Sequence, residues 1–216
     1  LLAAFRASDA GTGLDPYCLM AGDLYHRSVT KADKTERFVG KVCVLGLGFQ
    51  MGPAKLQITL AKGALGGPPI FITLEEAKRW VQTYRRKNDK IAKGWDICNG
   101  IIEDMAAGRE GSHGPLNWEK GCIWLPNGMR LHYPDLKKAI GDQGWDEWTY
   151  ASTLKGQPIR KKIYGGLLCE NIVQALARII VMYQMLDLSK VMRMVMTTHD
   201  EMVACAKKAQ ASCASA

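Results

Sequence analysis

The sequence predicts a mixed α+β chain, predominantly helical, and three observations lead there. Capping signatures at Asp33-Lys-Thr-Glu36 and Thr73-Leu-Glu-Glu76 stand before long segments of helical pattern. An aliphatic run from Leu167 to Leu186, preceded by Gly165-Gly166, is too long for a strand. Short apolar stretches broken by turn residues, at Gly121–Tyr133 and Val191–Ala206, supply the strands.

Taken in chain order, the opening LLAAFR reads as a helix, and the Gly- and Pro-bearing stretch from Asp9 to Pro16 as a loop. A second helix starts near Tyr17. A third runs from Lys34 to Gln50 and stops at Gly52-Pro53. Gly40, Gly46 and Gly48 inside it each cost about 1 kcal/mol relative to Ala, so something must approach this helix closely. The Thr73–Glu76 box opens a basic helix to about Lys93, and another covers Trp95 to Ala107. GCIWLPNGMRLHY (Gly121–Tyr133) is a hairpin turning at Pro126-Asn127-Gly128. The stretch from Asp135 to Gln157 is polar and irregular. After the Leu167–Leu186 helix come a short buried strand, Val191–Met196, a turn at Thr198-His199-Asp200-Glu201, and a return strand, Met202–Ala206. There is no internal repeat. Neither end resembles a natural domain boundary, which leads us to expect a segment of a longer protein.

Composition narrows the function. With 47% hydrophobic and 23% charged residues, the chain has the material for a core and no sign of bulk disorder. No apolar run is long enough to cross a bilayer and no signal peptide opens the chain, so the expected setting is intracellular, the host cytoplasm for a viral protein, with no membrane partner. The seven cysteines (Cys18, Cys43, Cys98, Cys122, Cys169, Cys205, Cys213) show no metal-ligand spacing and read as reduced thiols. The net charge is +8, unevenly placed: from Arg27 to Lys93 there are 14 Lys and Arg against 5 Asp and Glu, elsewhere 15 against 16. A basic half joined to a neutral half points to a polyanion, nucleic acid or nucleotide phosphate, or else to a solvated helix face.

Two groups of residues carry chemistry. Arg37, Lys41, Leu45 and Phe49 recur at every fourth position, and four helical steps turn about 400°, so they share one stripe. Cations near a helix N-terminus oppose its dipole, and a bound anion such as a triphosphate would compensate. Leu45 and Phe49 offer an apolar floor for a sugar or base. At the other end of the chain, Asp200 and Glu201 are adjacent carboxylates between two strands, the donor type that Mg²⁺ prefers. Each group alone is also what an ordinary surface helix or polar turn looks like.

Together they resemble a known family. ERFVGKVCVLGLGFQMG, with Arg37-x3-Lys41-x7-Phe49, is similar to the O-helix motif of the family A (DNA polymerase I-like) DNA polymerases, and THDE (Thr198–Glu201) to their motif C. Between them, YGGLLCENIVQALAR (Tyr164–Arg178) resembles the palm helix carrying the family's glutamine, and WLPNGMRLHYP (Trp124–Pro134) its hairpin segment. LLAAFR matches the first fingers helix. The likeness is collinear, spans nearly the whole chain and is nearest to phage-type members.

The resemblance implies a right-hand polymerase architecture, with residues 1–120 as fingers and residues 121–216 as a partial palm bearing the motif C hairpin. It implies template-directed DNA synthesis by nucleotidyl transfer from a dNTP to a primer 3′-hydroxyl, with primer–template DNA, dNTPs and the remainder of the polymerase chain as partners, and two Mg²⁺ ions as cofactors. Arg37 and Lys41 would bind the triphosphate, with Lys41 also counted as catalytic. Leu45 would contact the incoming sugar, and Phe49 would stack near the templating base. Gln174, with Asn171, would contact the duplex near the primer end, and His199 would lie near the primer terminus. Asp200 would be a catalytic metal ligand supported by Glu201.

The sequence also departs from the pattern. Phe49 replaces Tyr, Gln50 the Gly that follows it, and Leu45 an aromatic residue, while Asp15-Pro16-Tyr17 stands at the family's Asp-x-His. Motif A, Asp-x-Ser-x-x-Glu, is not in the chain, and the resemblance puts it upstream of Leu1, so the chain alone is expected not to extend primers. The alternatives are a segment of a single-subunit RNA polymerase, which shares Arg-x3-Lys and His-Asp, and a non-catalytic DNA-binding module.

Overall fold

The computed structural model describes residues 2–11, 13, 15–63, 66–141 and 144–206, and about half of these are helical. The α+β, predominantly helical expectation therefore holds. Part of the predicted Asp9–Pro16 loop, and the tail containing Cys213, lie outside the described residues. The six described cysteines are free thiols.

The first five helices gather around one core. They are α1 (Leu2–Asp9), α2 (Pro16–Tyr25), α3 (Lys34–Leu47), α4 (Pro53–Ala61) and α5 (Leu74–Lys87). Helix α2 starts where Asp15 accepts hydrogen bonds from the N–H groups of Tyr17 (2.8 Å) and Cys18 (3.3 Å), with Pro16 at its first position. The Thr73–Glu76 capping box is formed in both directions. Met20, Leu24, Val39, Val42, Leu47, Leu56, Leu60, Trp80 and Tyr84 fill the core. A Cβ at Gly40 would lie 2.1 Å from the Tyr17 carbonyl oxygen. At Gly40 the predicted close approach is therefore the backbone of α2, and at Gly46 it is the Met51 side chain.

Three boundaries differ from the sequence reading. Helix α3 ends at Leu47, not Gln50. Gly52-Pro53 opens a new helix, α4, as well as closing the previous segment, because proline suits a first helical turn. The basic helix expected to reach Lys93 breaks at Asn88, whose backbone is non-helical, and α6 (Asp89–Ala107) begins at once.

Helix α6 passes from the first core to a second. Ile91 packs on the first, while Cys98, Ile101, Ile102 and Met105 belong to the second. There they meet an antiparallel sheet of β1 (Gly111–His113), β2 (Leu116–Glu119), β3 (Cys122–Trp124) and β4 (Arg130–His132). The predicted Gly121–Tyr133 hairpin is β3–β4, with Ile123 opposite Leu131. The stretch expected to be irregular is instead a three-stranded antiparallel sheet: β5 (Lys137–Ile140), β6 (Asp146–Leu154) and β7 (Gln157–Lys162). Its β-prone Trp148, Thr149 and Tyr150 sit among polar residues that hide the alternation. Lys155 and Gly156, both at positive φ, make its tight turn.

The last elements are α7 (Gly165–Ser189), β8 (Arg193–Thr198) and β9 (Glu201–Cys205). Only the first turns of α7 are buried, through Gly165, Gly166, Leu168 and Ile172. Further along, Ile180, Tyr183 and Leu186 are more than half exposed. At 25 residues α7 is long and apolar enough to cross a membrane by length and composition, contrary to the expectation that no run would be. It carries Glu170, Arg178 and Asp187 along its length. The strand expected to be buried is exposed as well, with Val191 at 77%. Strands β8 and β9 form a sheet of two, and β8 packs on α7, so among the described residues no third strand covers them.

Candidate active site

The outer face of α3 presents Arg37, Lys41 and Leu45 one turn apart, while Val39, Val42, Cys43 and Leu47 face the core. Leu45 is 39% exposed next to the buried Val44 and so is not a core leucine. Phe49, expected as the fourth member of the stripe, lies beyond the helix end in the turn Gly48–Gln50 and is half-buried. The helix stops there because Gln50 takes φ +65, a left-handed conformation unusual for a residue with a side chain.

That turn is fastened from two sides. The Trp95 indole N–H donates to the Gly48 carbonyl oxygen (3.0 Å), and the Gly166 N–H donates to Gln50 Oε1 (2.8 Å). Asn99 Oδ1 accepts from the neighbouring Gly165 N–H (2.7 Å). Two of the free N–H groups at the start of α7 are thus satisfied by side chains from elsewhere in the fold. A glycine at position 50 would adopt the same backbone readily but could not supply the acceptor. Gly165 and Gly166 permit the approach: a Cβ on either would lie within 2.3 Å of Trp95 or Gln50.

The two cations of this stripe, Arg37 and Lys41, differ. Arg37 donates to Asp15 Oδ2 through Nη2 (2.6 Å) and Nε (3.1 Å), and its guanidinium lies 5.4 Å from the Tyr17 ring centroid. A carboxylate of the protein itself therefore already compensates this charge near the helix N-terminus. Lys41 is half-exposed and has no carboxylate within ion-pair distance among the described residues. Burial alone would raise the Asp15 carboxyl, but hydrogen bonds from Arg37 and from the Tyr17 and Cys18 N–H groups outweigh it and hold the carboxyl below its ordinary value of 3.8. A carboxyl lowered by folding stabilises the fold above its unfolded value and loses that contribution as pH falls through the folded one. Asp15→Asn, which keeps the cap acceptor and loses the ion pair, is expected to cost on the order of 1 kcal/mol at neutral pH. Thermal unfolding followed against pH should show the difference from wild type shrinking once pH drops below 3.8.

On α7, Asn171 Nδ2 donates to the hydroxyl of Tyr133 (3.1 Å), and Gln174 Nε2 to Glu170 Oε1 (3.1 Å). Asn171 is thus tied into the second core, while Gln174 is exposed. Burial pushes the Tyr133 hydroxyl up to about 12, so it stays protonated at neutral pH.

His199 and Asp200 form the two-residue turn between β8 and β9, and Glu201 opens β9 opposite Thr198. All three are exposed. His199 holds φ +54 at the first corner, a place where glycine is most comfortable. Two adjacent, solvent-facing carboxylates are hard oxygen donors and suit Mg²⁺ in kind. No cluster of three or more His, Cys, Asp or Glu residues with metal-binding geometry occurs among the described residues. The structure groups the proposed site residues into the α3 face with its turn, the α7 pair, and the hairpin tip. The Gln50–Gly166 hydrogen bond links the first of these to the helix that carries the second.

Asp15 and Gln50 entered the sequence reading only as departures from the family pattern, and the contacts they make were missed. The Asp-Pro pair was a readable helix start, whereas the reach of Gln50 to Gly166 spans 116 positions and left no local signal.

The chain is 34% identical over 185 residues to a protein named DNA polymerase from Bacillus phage SP02. The match covers 82% of this chain and 28% of that polymerase, so the chain spans under a third of its relative's length. No protein-family profile and no solved structure matches the chain.

Proposed function

We infer that this chain is the nucleotide-binding fingers and part of the palm of a phage-type family A DNA polymerase, and that the whole enzyme copies template DNA by adding nucleotides to a primer 3′-hydroxyl. The observation that carries this reading is the outer face of α3, which keeps Arg37, Lys41 and Leu45 in the Arg-x3-Lys register, with Lys41 free of any carboxylate among the described residues and Leu45 open. The likeness to a phage DNA polymerase supports DNA over RNA synthesis and a polymerase over a bare DNA-binding module.

In this reading Lys41 meets the triphosphate directly. Arg37 meets it while sharing its charge with Asp15. Leu45 lies against the sugar, and Phe49, held by the fastened turn, stacks by the templating base. Gln174 reads the duplex near the primer end, with Asn171 behind it bracing Tyr133. His199 lies by the primer terminus. Asp200, with Glu201 in support and a further carboxylate from outside this chain, would hold Mg²⁺, which would supply neutralisation of the charge that develops in phosphoryl transfer. Phosphoryl transfer is mostly positioning and charge neutralisation, the two things these residues supply.

The test is primer extension by the intact polymerase on defined templates, where the template base must dictate the nucleotide added. Leu45 sharpens it. A leucine offers no hydroxyl in place of the 3′-hydroxyl that a dideoxynucleotide lacks, so wild type is expected to discriminate against dideoxynucleotides. Leu45→Tyr is expected to relax that discrimination by more than roughly 10- to 200-fold, the range for one apolar pocket contact, because the tyrosine adds a hydrogen bond. Equal incorporation ratios for the two enzymes would show that Leu45 does not face the sugar.

A further inference from the structure

Helix α5 is two-sided. Ala77, Trp80, Val81 and Tyr84 are buried, and Lys78, Arg79, Gln82, Arg85 and Arg86 are exposed on the other side. The exposed set repeats at three and four residues, so it forms one stripe, about 12 Å from Lys78 to Arg86. Lys78 is paired with Glu75 (2.8 Å), but neither Arg79 nor Arg86 has a carboxylate within ion-pair distance among the described residues.

Each end of the stripe has a distinguishing feature. At the C-terminal end the Arg85 guanidinium lies 5.6 Å from the ring centroid of Trp95, the residue whose indole N–H holds Gly48. The stripe therefore begins beside the turn that carries Phe49. At the N-terminal end, just ahead of the Thr73 cap, stands Phe71, at 82% the most exposed aromatic among the described residues. It is not loose. The Ile70 N–H donates to the Leu60 carbonyl oxygen (2.9 Å), and Gln57 Nε2 donates to the Ile72 carbonyl oxygen (2.8 Å). Both isoleucines pack on the first core. The sequence Ile-Phe-Ile thus holds an aromatic ring out in water between two anchored neighbours, at a solvation cost that folding does not recover.

We propose that this face of α5, with Phe71, is a track for the uncopied single-stranded template as it approaches the templating position. Guanidinium groups with no carboxylate partner take backbone phosphates. A flat exposed ring takes an unpaired base by stacking, which the paired bases of a duplex do not offer. The proposal rests on the polymerase reading, which puts the templating base at Phe49.

The experiment measures binding of the intact polymerase to two primer–templates that share one duplex, one with a 5′ template overhang of ~10 nucleotides, the other with a single-nucleotide overhang. Wild type should bind the long overhang more tightly. Arg79→Gln/Arg85→Gln/Arg86→Gln should remove that advantage and lower the salt slope on the long overhang by about two, at roughly 0.7 for each single-strand phosphate left without its arginine. Phe71→Ala should weaken only the long-overhang complex, by roughly tenfold, with its salt slope unchanged. Arg85→Lys, which keeps the charge, controls for folding. Equal weakening on both substrates would mean that α5 holds duplex and would overturn the proposal, as would no weakening on either. A wild-type enzyme that neither binds nor extends a primer–template would overturn the polymerase reading as well, whereas the other two outcomes leave it standing.

Discussion

Asp200→Asn in the intact polymerase is expected to lower nucleotide incorporation by roughly three orders of magnitude, the upper scale for losing one electrostatic stabiliser of developing charge. Primer–template affinity should stay essentially unchanged. Asp200 sits in a two-residue turn, exposed and with no partner among the described residues, so the substitution breaks no structural interaction there. The fold has no visible use for this carboxylate, and the turn keeps His199 beside it at a positive φ that glycine would take with less strain. Single-turnover incorporation measured alongside DNA binding separates chemistry from recognition. Near-normal incorporation by the variant would remove Asp200 from the reaction.

Lys41→Ala is expected to reduce incorporation efficiency by roughly 10- to 1000-fold, through a higher KM for nucleotide, a lower rate, or both. DNA affinity and its salt slope should barely move. Lys41 is the cleaner probe of the α3 face because no carboxylate among the described residues depends on it. Arg37→Ala would also strand Asp15, whose side chain is only 10% exposed, mixing a stability effect with a functional one. If Lys41→Ala instead lowered DNA affinity and flattened its salt dependence, with nucleotide KM unchanged, the lysine would be contacting a DNA phosphate.

Local signals in the sequence were reliable where one residue decides the geometry. The Thr73 capping box, the Pro126-Asn127-Gly128 turn and the His199-Asp200 turn all stand where the residues placed them. Two of the misreadings trace to contacts distant along the chain, while the breaks at Gly52-Pro53 and Asn88 are local. Helix α3 stops short of Phe49 because Gln50 leaves the helix and reaches Gly166. The sheet of β5, β6 and β7 was hidden because its apolar residues find partners elsewhere, as Tyr150 does in Tyr133 at 5.1 Å between ring centroids. For the site, the stripe and the carboxylate pair were legible as residues in register. The Arg37–Asp15 pair was not, since a sequence shows a cation's position but not what already neutralises it.

The Gly40 contact bears on how the nucleotide-binding face would move. Backbone lies against backbone there, with no side chain between to shear or change rotamer, and the Arg37–Asp15 bond ties the same two helices a turn away. A closure of α3 over a nucleotide, which the proposed function would call for, is therefore expected to carry α2 with it as one lever. The fulcrum is the pinned segment from Gly48 to Gln50, at the end of the lever farthest from Arg37. Any closing stroke is then greatest at the N-terminal end of α3, where the cations are, and least at Phe49. A fluorescent probe on the solvent side of α2, at Leu19 for example, would register the stroke without touching the proposed nucleotide-binding face.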